Sequence, residues 1–166
     1  MSFKKAKQPE KVQEHLSAYL SDRAVCSMDE FIQHGTTTTL EHCLSVVSAS
    51  CAIAKKLHLR VNYENLTLGA LLHDFYLYDW HTHQDEGALH GFAHPHIACR
   101  NAAARFHISP EVQHIIRTHM WPLTLRFVPR SREAVIVCLA DKYCSTVETV
   151  SGFWHHARAL GQKRRV

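Results

Sequence analysis

The residues of this sequence best suited to chemistry are an adjacent histidine and aspartate, His73 and Asp74, which end an apolar stretch. The preceding residues, LTLGALL, are typical of a buried helix, and polar groups buried there without partners would cost several kcal/mol. Imidazole and carboxylate are both common metal ligands, so a bound metal ion is the first hypothesis. The simpler interpretation is a histidine beside a capping or surface aspartate where a helix happens to end.

Residues of the same two types recur along the chain, each at an end or on the apolar face of a different predicted helix. Nitrogen and carboxylate ligands without cysteine suit iron, manganese or zinc. Six such ligands exceed one tetrahedral site, and the two oxygens of an aspartate can bridge two ions. Two ions about 4 Å apart would clamp a phosphoryl group and activate a water molecule. Besides His73 and Asp74, the candidate ligands are His42, His94, His119 and Asp141.

Length and composition indicate one folded domain. A chain of 166 residues can bury a sizeable core but is short for two domains. Hydrophobic residues make up 46% and charged residues 20%, as in ordinary globular proteins. No stretch approaches the roughly 18 apolar residues of a membrane span, and no signal-type segment is apparent, so we expect no membrane partner and a cytoplasmic location. The six cysteines show no CxxC spacing, and most of them are expected to be buried thiols among apolar helical neighbours.

The formal net charge of +4 lies partly at the two ends of the chain, in Lys4, Lys5, Lys7 and residues 163–165. Terminal charges are usually solvated, so they are weak grounds for a nucleic-acid partner, which is not expected. A small anionic substrate would suit this charge equally well. The sequence leaves the oligomeric state open.

Helical periodicity and helix-end signals account for most of the chain. Ser27 with Glu30 and Thr38 with Glu41 have the form of capping boxes. No convincing alternating β pattern appears, so we predict a single all-α domain over residues 1–166, with its core at about 27–150. The predicted helices cover residues 10–20, 27–32, 35–59, 62–72, 94–106 and 109–119, and a last long helix follows residue 131.

Two prolines and two irregular stretches complete this prediction. Pro95 suits the first position of a helix, and Ser109 before Pro110 is a strong helix start. Residues 75–92 are rich in aromatic residues and histidine and fit no clean period, while residues 120–130 contain two prolines. Both stretches are predicted loops, and a long irregular stretch in a compact domain is often functional.

The order of these motifs resembles the HD superfamily of metal-dependent phosphohydrolases, which are all-α domains named for an adjacent His-Asp pair. The resemblance covers most of residues 31–150, and the motifs are more specific together than any one of them alone. They are TLEHCLSVV with His42, GALLHDFYLYDW with His73 and Asp74, GFAHPHIA with His94, IIRTHMWPL with His119, and VCLADKYCS with Asp141.

This resemblance implies a particular set of metal ligands. In the family, a core metal is held by the equivalents of His42, His73, Asp74 and Asp141. Members with two further histidines bind a second metal, which implies that Asp74 bridges and that His94 and His119 hold the second ion. His96 competes with His94, which is favoured because Pro95 follows it, as in the cyclic-dinucleotide phosphodiesterase branch. Two divalent ions are therefore expected, iron or manganese first, with Zn, Mg, Ni or Co as alternatives.

The sequence also departs from that branch. Leu77 stands where those members have a lysine, and their Gly-Tyr-Pro signature is absent. Thr38 stands where some members have a glutamate that serves a third metal. Neither cyclic-dinucleotide hydrolysis nor a three-metal site is therefore expected.

The resemblance implies a phosphohydrolase acting on a small phosphate ester or nucleotide. His73 and Asp74 would be catalytic, and His94, His119 or Asp79 would protonate the leaving oxygen. Arg117 and Lys142 could contact phosphate, as could His96 if it is not a ligand. The alternatives are a di-iron oxygenase that cleaves a C–H bond with O₂, and a non-catalytic nucleotide-binding domain.

Several further side chains could line a pocket near this site, although loop histidines are often solvated and aromatic residues often pack in the core. They are Tyr76, Tyr78, Trp80, His81, His83, His90 and Arg126.

Overall fold

The computed structural model describes residues 10–81 and 90–163, and it describes side chains for 14–81 and 90–152. His83 and the basic residues at the two ends of the chain lie outside these side-chain ranges. Helices dominate, which confirms the predicted all-α class. The elements are α1 (Glu10–Leu20), α2 (Arg23–Cys26), a 3₁₀ turn (Ser27–Glu30), β1 (Ile32–His34), β2 (Thr37–Thr38), α3 (Thr39–Lys56), α4 (Tyr63–Leu72), α5 (His90–Phe106), α6 (Pro110–Thr118) and α7 (Arg132–Lys163).

The core forms where α3, α4, α6 and α7 pack against one another, with α5 against α6. Helix α4 lies at its centre, since every residue from Leu66 to Leu72 is buried. This explains why that stretch is apolar on all sides and shows no amphipathic period. In the described part of the chain, no helix is both long enough and apolar enough to cross a membrane.

Most of the predicted helix ends are confirmed. Thr38 and Glu41 form a complete capping box at the start of α3. The hydroxyl of Ser109 accepts a hydrogen bond from the backbone N–H of Val112 at the start of α6, and Ser131 caps α7 in the same way through Ala134. Each cap satisfies a backbone donor that the first turn of a helix leaves unpaired.

The prediction for Ser27 was wrong. Its hydroxyl donates to the carbonyl oxygen of Ala24, so it closes α2 instead of capping a new helix. The chain then leaves the 3₁₀ turn as a strand, and β1 pairs with β2 in a two-stranded antiparallel hairpin. The turn of this hairpin includes Gly35, whose φ of +61° is readily adopted only by glycine. Strands this short contain too few residues to show an alternating pattern.

The prediction for Pro95 was also wrong. The described part of α5 begins at His90, so Pro95 lies inside the helix and is buried. Helix α3, in turn, begins at Thr39 because residues 32–38 form the hairpin, not at residue 35 as predicted.

Candidate metal centre

His73 and Asp74 are both buried at the C-terminal end of α4. The Nδ1 atom of His73 lies 2.8 Å from the carbonyl oxygen of Ala70. Because a carbonyl oxygen can only accept, Nδ1 carries a proton, and Nε2 is the ring nitrogen that remains available to a metal. That Nε2 lies 3.3 Å from Oδ2 of Asp74. The turn of α4 therefore aims the second ring nitrogen at the neighbouring carboxylate.

His94 on α5 and His119 at the end of α6 are held by the same kind of contact. Nδ1 of His94 lies 2.9 Å from the carbonyl oxygen of His90, and Nδ1 of His119 lies 2.7 Å from that of Ile116. Their Nε2 atoms are 2.8 Å apart and lie 3.2 and 3.6 Å from Oδ1 of Asp74. Two imidazole nitrogens and an anionic oxygen this close together can share one cation.

His42 on α3 and Asp141 on α7 lie on the other side of the same carboxylate. The Nε2 atom of His42 is 3.2 Å from Oδ1 of Asp141 and 3.9 Å from Oδ2 of Asp74. His73 Nε2 is 3.8 Å from the same Asp141 oxygen. The two oxygens of Asp74 therefore face two different groups, with Oδ2 toward His42 and His73 and Oδ1 toward His94 and His119.

The pKa values reflect this concentration of charge in a buried space. Burial alone would raise the pKa of Asp74, but the adjacent His73 and His94 hold it well below its usual value. Burial would lower the pKa of His42, but hydrogen bonds to Asp141 and Glu148 raise it to about 10. Burial and the neighbouring His94 and His73 lower the pKa of His119 to about 3. The carboxylates are therefore ionised, and without a metal His42 holds a proton in its place.

The chemistry of these donors fits a metal ion. Among the described residues, Nε2 of His73 and Oδ1 of Asp74 are buried and have no hydrogen-bond partner. Buried polar atoms normally have partners, so these two atoms indicate a missing one. Ligand atoms within 4.8 Å of one another form three groups among the described residues, which are His42, His73 and Asp74; Asp74, His94 and His119; and His34, His42 and Glu148. This buried cluster of histidine and aspartate can bind metal ions.

The four other predicted site residues have different surroundings. Lys142 donates from Nζ to the carbonyl oxygens of His119 and Cys138. Arg117 donates to Gln113 and to the sulfur of Cys99. His96 is exposed and its ring packs against Phe127 at 4.6 Å. Oδ1 of Asp79 accepts a hydrogen bond from the backbone N–H of His81.

An aromatic wall adjoins the His94 side of the cluster. His90 stacks on His94 with ring centroids 4.6 Å apart. Trp80 also stacks on His90, with ring centroids 5.0 Å apart. The hydroxyl of Tyr78 lies 2.9 Å from Nδ1 of His90, and the ring of Tyr76 is 5.9 Å from that of His94. Burial lowers the pKa of His90 to about 4, so this ring is neutral.

Among the residues that contact the cluster, Glu148 and Gln33 were missed in the sequence. Glu148 lies 2.8 Å from Nδ1 of His42, and Gln33 donates a hydrogen bond to Asp74. Glu148 lies seven residues after Asp141 on α7, two turns along the same face, and this spacing was the available signal. The part of the chain that contains Gln33 was predicted as the end of a helix and a connection, so no signal pointed to it.

Comparison with protein families agrees with this geometry. The family model for the HD domain matches residues 39–146, well over half of the chain. No curated protein and no solved structure matches. The matched range contains all six of the predicted ligands, His42, His73, Asp74, His94, His119 and Asp141. The chain therefore belongs to the HD domain family.

Proposed function

We propose that this protein is a metal-dependent phosphohydrolase that acts on a small phosphate ester or nucleotide through a dinuclear centre. The observation that carries the proposal is the position of Asp74, whose two oxygens face two separate groups of histidines. A carboxylate in that position can join two cations. Iron or manganese suits this set of nitrogen and carboxylate ligands, which contains no thiolate.

In this proposal each ligand has a defined role. His42, His73, Asp141 and Oδ2 of Asp74 would hold the first ion, and His94, His119 and Oδ1 of Asp74 the second. When bound, such a pair of ions polarises phosphoryl oxygens and lowers the pKa of a water molecule. The protein contributes the orientation of the rings, since the carbonyl oxygens of residues 70, 90 and 116 fix three of the four imidazoles.

The same contacts narrow the choice of proton donor for the leaving oxygen. A histidine that donates Nδ1–H to a carbonyl and binds metal through Nε2 has no proton to give, which argues against His94 and His119. We therefore favour Asp79, which is partly exposed in the segment that follows Asp74. Asp79→Asn should reduce turnover of substrates with poor leaving groups more than of those with good ones, without loss of metal.

The oxygenase alternative is supported by one observation. Of the two cations expected to contact phosphate, Lys142 donates from Nζ to the carbonyl oxygens of His119 and Cys138, while Arg117 uses two of its five N–H donors on Cys99 and Gln113. If Lys142 does not reorient, charge compensation of a phosphoryl group would fall more heavily on the metals. A di-iron centre of four histidines and two aspartates would suit O₂ chemistry as well.

The deciding experiment combines metal analysis with a substrate screen. Protein purified anaerobically with iron or manganese should contain about two ions per chain and hydrolyse at least one phosphomonoester, nucleotide or cyclic nucleotide. Asp74→Asn should abolish both properties. The matched control, Asp22→Asn, alters an aspartate that pairs with Arg105 far along the chain and should retain both.

Three other outcomes would redirect the proposal. Two bound ions with substrate-dependent O₂ consumption and a mixed-valent EPR signal would favour the oxygenase. Fewer than one ion per chain would contradict the dinuclear centre. Tight nucleotide binding in metal-free protein without turnover would favour a non-catalytic domain.

A further inference from the structure

The hairpin of β1 and β2 contains an irregularity at Gln33. Ile32 pairs with Thr38 and His34 pairs with Thr37, so two steps along β1 correspond to one step along β2. Gln33 is therefore the extra residue at an irregularity of the β-bulge type. Such irregularities are frequent beside active sites. The side chain of Gln33 is buried, with only 7% of its surface exposed.

The buried amide of Gln33 reaches the carboxylate of Asp74. Its Nε2 atom donates to Oδ2 of Asp74 over 2.6 Å. The carbonyl Oε1 at the other side of the amide accepts a hydrogen bond from the hydroxyl of Tyr76. The hydroxyl of Thr39 lies 3.3 Å from the same oxygen and 3.2 Å from the carbonyl oxygen of Phe31, which share its one proton. Tyr76 and Thr39 are 2% and 1% exposed, so no solvent competes for these contacts. The orientation of the amide follows, because the Asp74 carboxylate can only accept and therefore faces the amide NH₂.

The hairpin that carries Gln33 is itself held against α7. At its turn, a Cβ atom added to Gly35 would lie 3.3 Å from the Cα atom of Gly152 on α7. Helix α7 also supplies Asp141 to the cluster. The hairpin, the carboxylate and the helix that contributes another ligand are thus parts of one packed unit.

We propose that Gln33 is a positioning residue that sets the rotation of the Asp74 carboxylate. Its hydrogen bond holds Oδ2 on the side of His42 and His73, which leaves Oδ1 toward His94 and His119. Each carboxylate oxygen has lone pairs for both a hydrogen bond and a cation, so Gln33 and a metal bind Oδ2 together. This role rests on the proposed dinuclear centre. It adds to that centre a contact that selects the bridging orientation among the rotations open to the side chain.

The test measures metal binding, so it does not depend on knowing the substrate. Metal-free protein is titrated with Mn²⁺ by calorimetry, and the loaded protein is examined by EPR for magnetic coupling between two ions. Gln33→Met keeps the length of the side chain but cannot donate or accept a hydrogen bond. It should weaken Mn²⁺ binding by about 10- to 100-fold, as loss of a contact behind a ligand typically does, and should diminish the coupled signal.

Two further variants separate positioning from a general loss of structure. Tyr76→Phe removes the hydroxyl that donates to the amide oxygen of Gln33 and should produce a smaller loss of the same kind. Gln113→Met alters a glutamine on α6 that bonds to the carbonyl oxygen of Ile108 and should leave Mn²⁺ binding unchanged. Circular dichroism of each metal-free variant reports folding independently.

The proposal is overturned if folded Gln33→Met binds Mn²⁺ within about twofold of the wild type with an intact coupled signal. It is also overturned if the wild type binds only one ion, since there is then no bridge to orient. A wild type that binds two coupled ions but has no phosphatase activity would contradict only the proposed reaction. Comparing Mn²⁺ binding by the wild type and by Gln33→Met would then still test whether Gln33 positions Asp74.

Discussion

At the scale of single residues, each histidine of the cluster uses one ring nitrogen for a protein acceptor and leaves the other for a ligand. For His73, His94 and His119 the acceptor is a backbone carbonyl three or four residues earlier, so the helix itself orients the ring. His42 differs, because its acceptor is the carboxylate of Glu148, 106 residues away in sequence. A carboxylate makes the imidazole a stronger ligand than a neutral carbonyl does. Of the protein acceptors that contact these histidines, Glu148 should therefore contribute most to metal affinity.

Glu148→Gln should weaken metal binding by about 10- to 100-fold, because the amide holds the ring of His42 without the negative charge that raises its basicity. Titration of metal-free protein with Mn²⁺ would measure this. Glu133→Gln is the matched control, since Glu133 lies on the same helix and accepts from the backbone of Asn62. Equal affinities for the two variants would refute a role for Glu148.

At the scale of secondary-structure elements, the site depends on how closely α4 and α6 pack. Gly69 on α4 lies against Ile115 on α6, and an added Cβ atom would be only 2.6 Å from the Cγ2 atom of Ile115. His73 and His119 directly follow the last residues of these two helices, and their ring centroids are 4.9 Å apart. The absence of a side chain at residue 69 thus allows the two ligands to meet. The requirement at this position is space, because Gly69 lies within the regular backbone of α4.

Gly69→Ala should destabilise the protein by about 1–3 kcal/mol through overpacking and should weaken metal binding, since the helices must separate. Urea denaturation of the metal-free protein and Mn²⁺ titration would measure the two effects. Combining Gly69→Ala with Ile115→Ala should cost less than the sum of the single changes, because the second substitution makes room for the first. Strictly additive effects would show that the contact does not limit the packing.

At the scale of the whole molecule, the cluster draws its ligands from α3, α5, α6 and α7 and from the end of α4. These segments meet only in the folded chain, and together they bury two carboxylates among four imidazoles. The metal-free protein therefore retains protons on some of these rings. A bound metal would replace them, so protonation, folding and metal binding are linked.

The stability of metal-free protein should decline as the pH rises from about 7 to 10. The pKa of His42 is about 10 in the folded state, against roughly 6.5 in the unfolded chain, and the pKa of His73 is also raised. The folded state therefore binds more protons across this range, and the stabilisation that is complete below pH 6.5 is lost as the pH approaches 10.

Thermal melts of metal-free and Mn²⁺-saturated protein across this range would measure the effect. The saturated protein serves as the control, because its ligands have already released these protons while all other titrating groups are the same. A parallel decline in both forms would place the cause outside the cluster.

The features that could be predicted from the sequence are those that depend on residues close together in the chain. The N-terminal caps of α3, α6 and α7 each join a hydroxyl to a backbone N–H three residues later, and these caps were predicted correctly. The contacts that orient three of the histidine rings also arise within about one turn of helix. The hairpin was missed because its strands are short and its turn packs at Gly35 against a helix far along the chain.

The sequence by itself determined that helices would dominate and that two residue types with metal affinity would recur at their ends. It also determined the family, since those motifs and their order are properties of the chain. Only the tertiary structure decided that the two oxygens of Asp74 face different groups, and that Gln33 and Glu148 stand behind the ligands. Those contacts join residues 41 and 106 positions apart. Helix packing creates them, and no local pattern encodes which side chains packing will bring together.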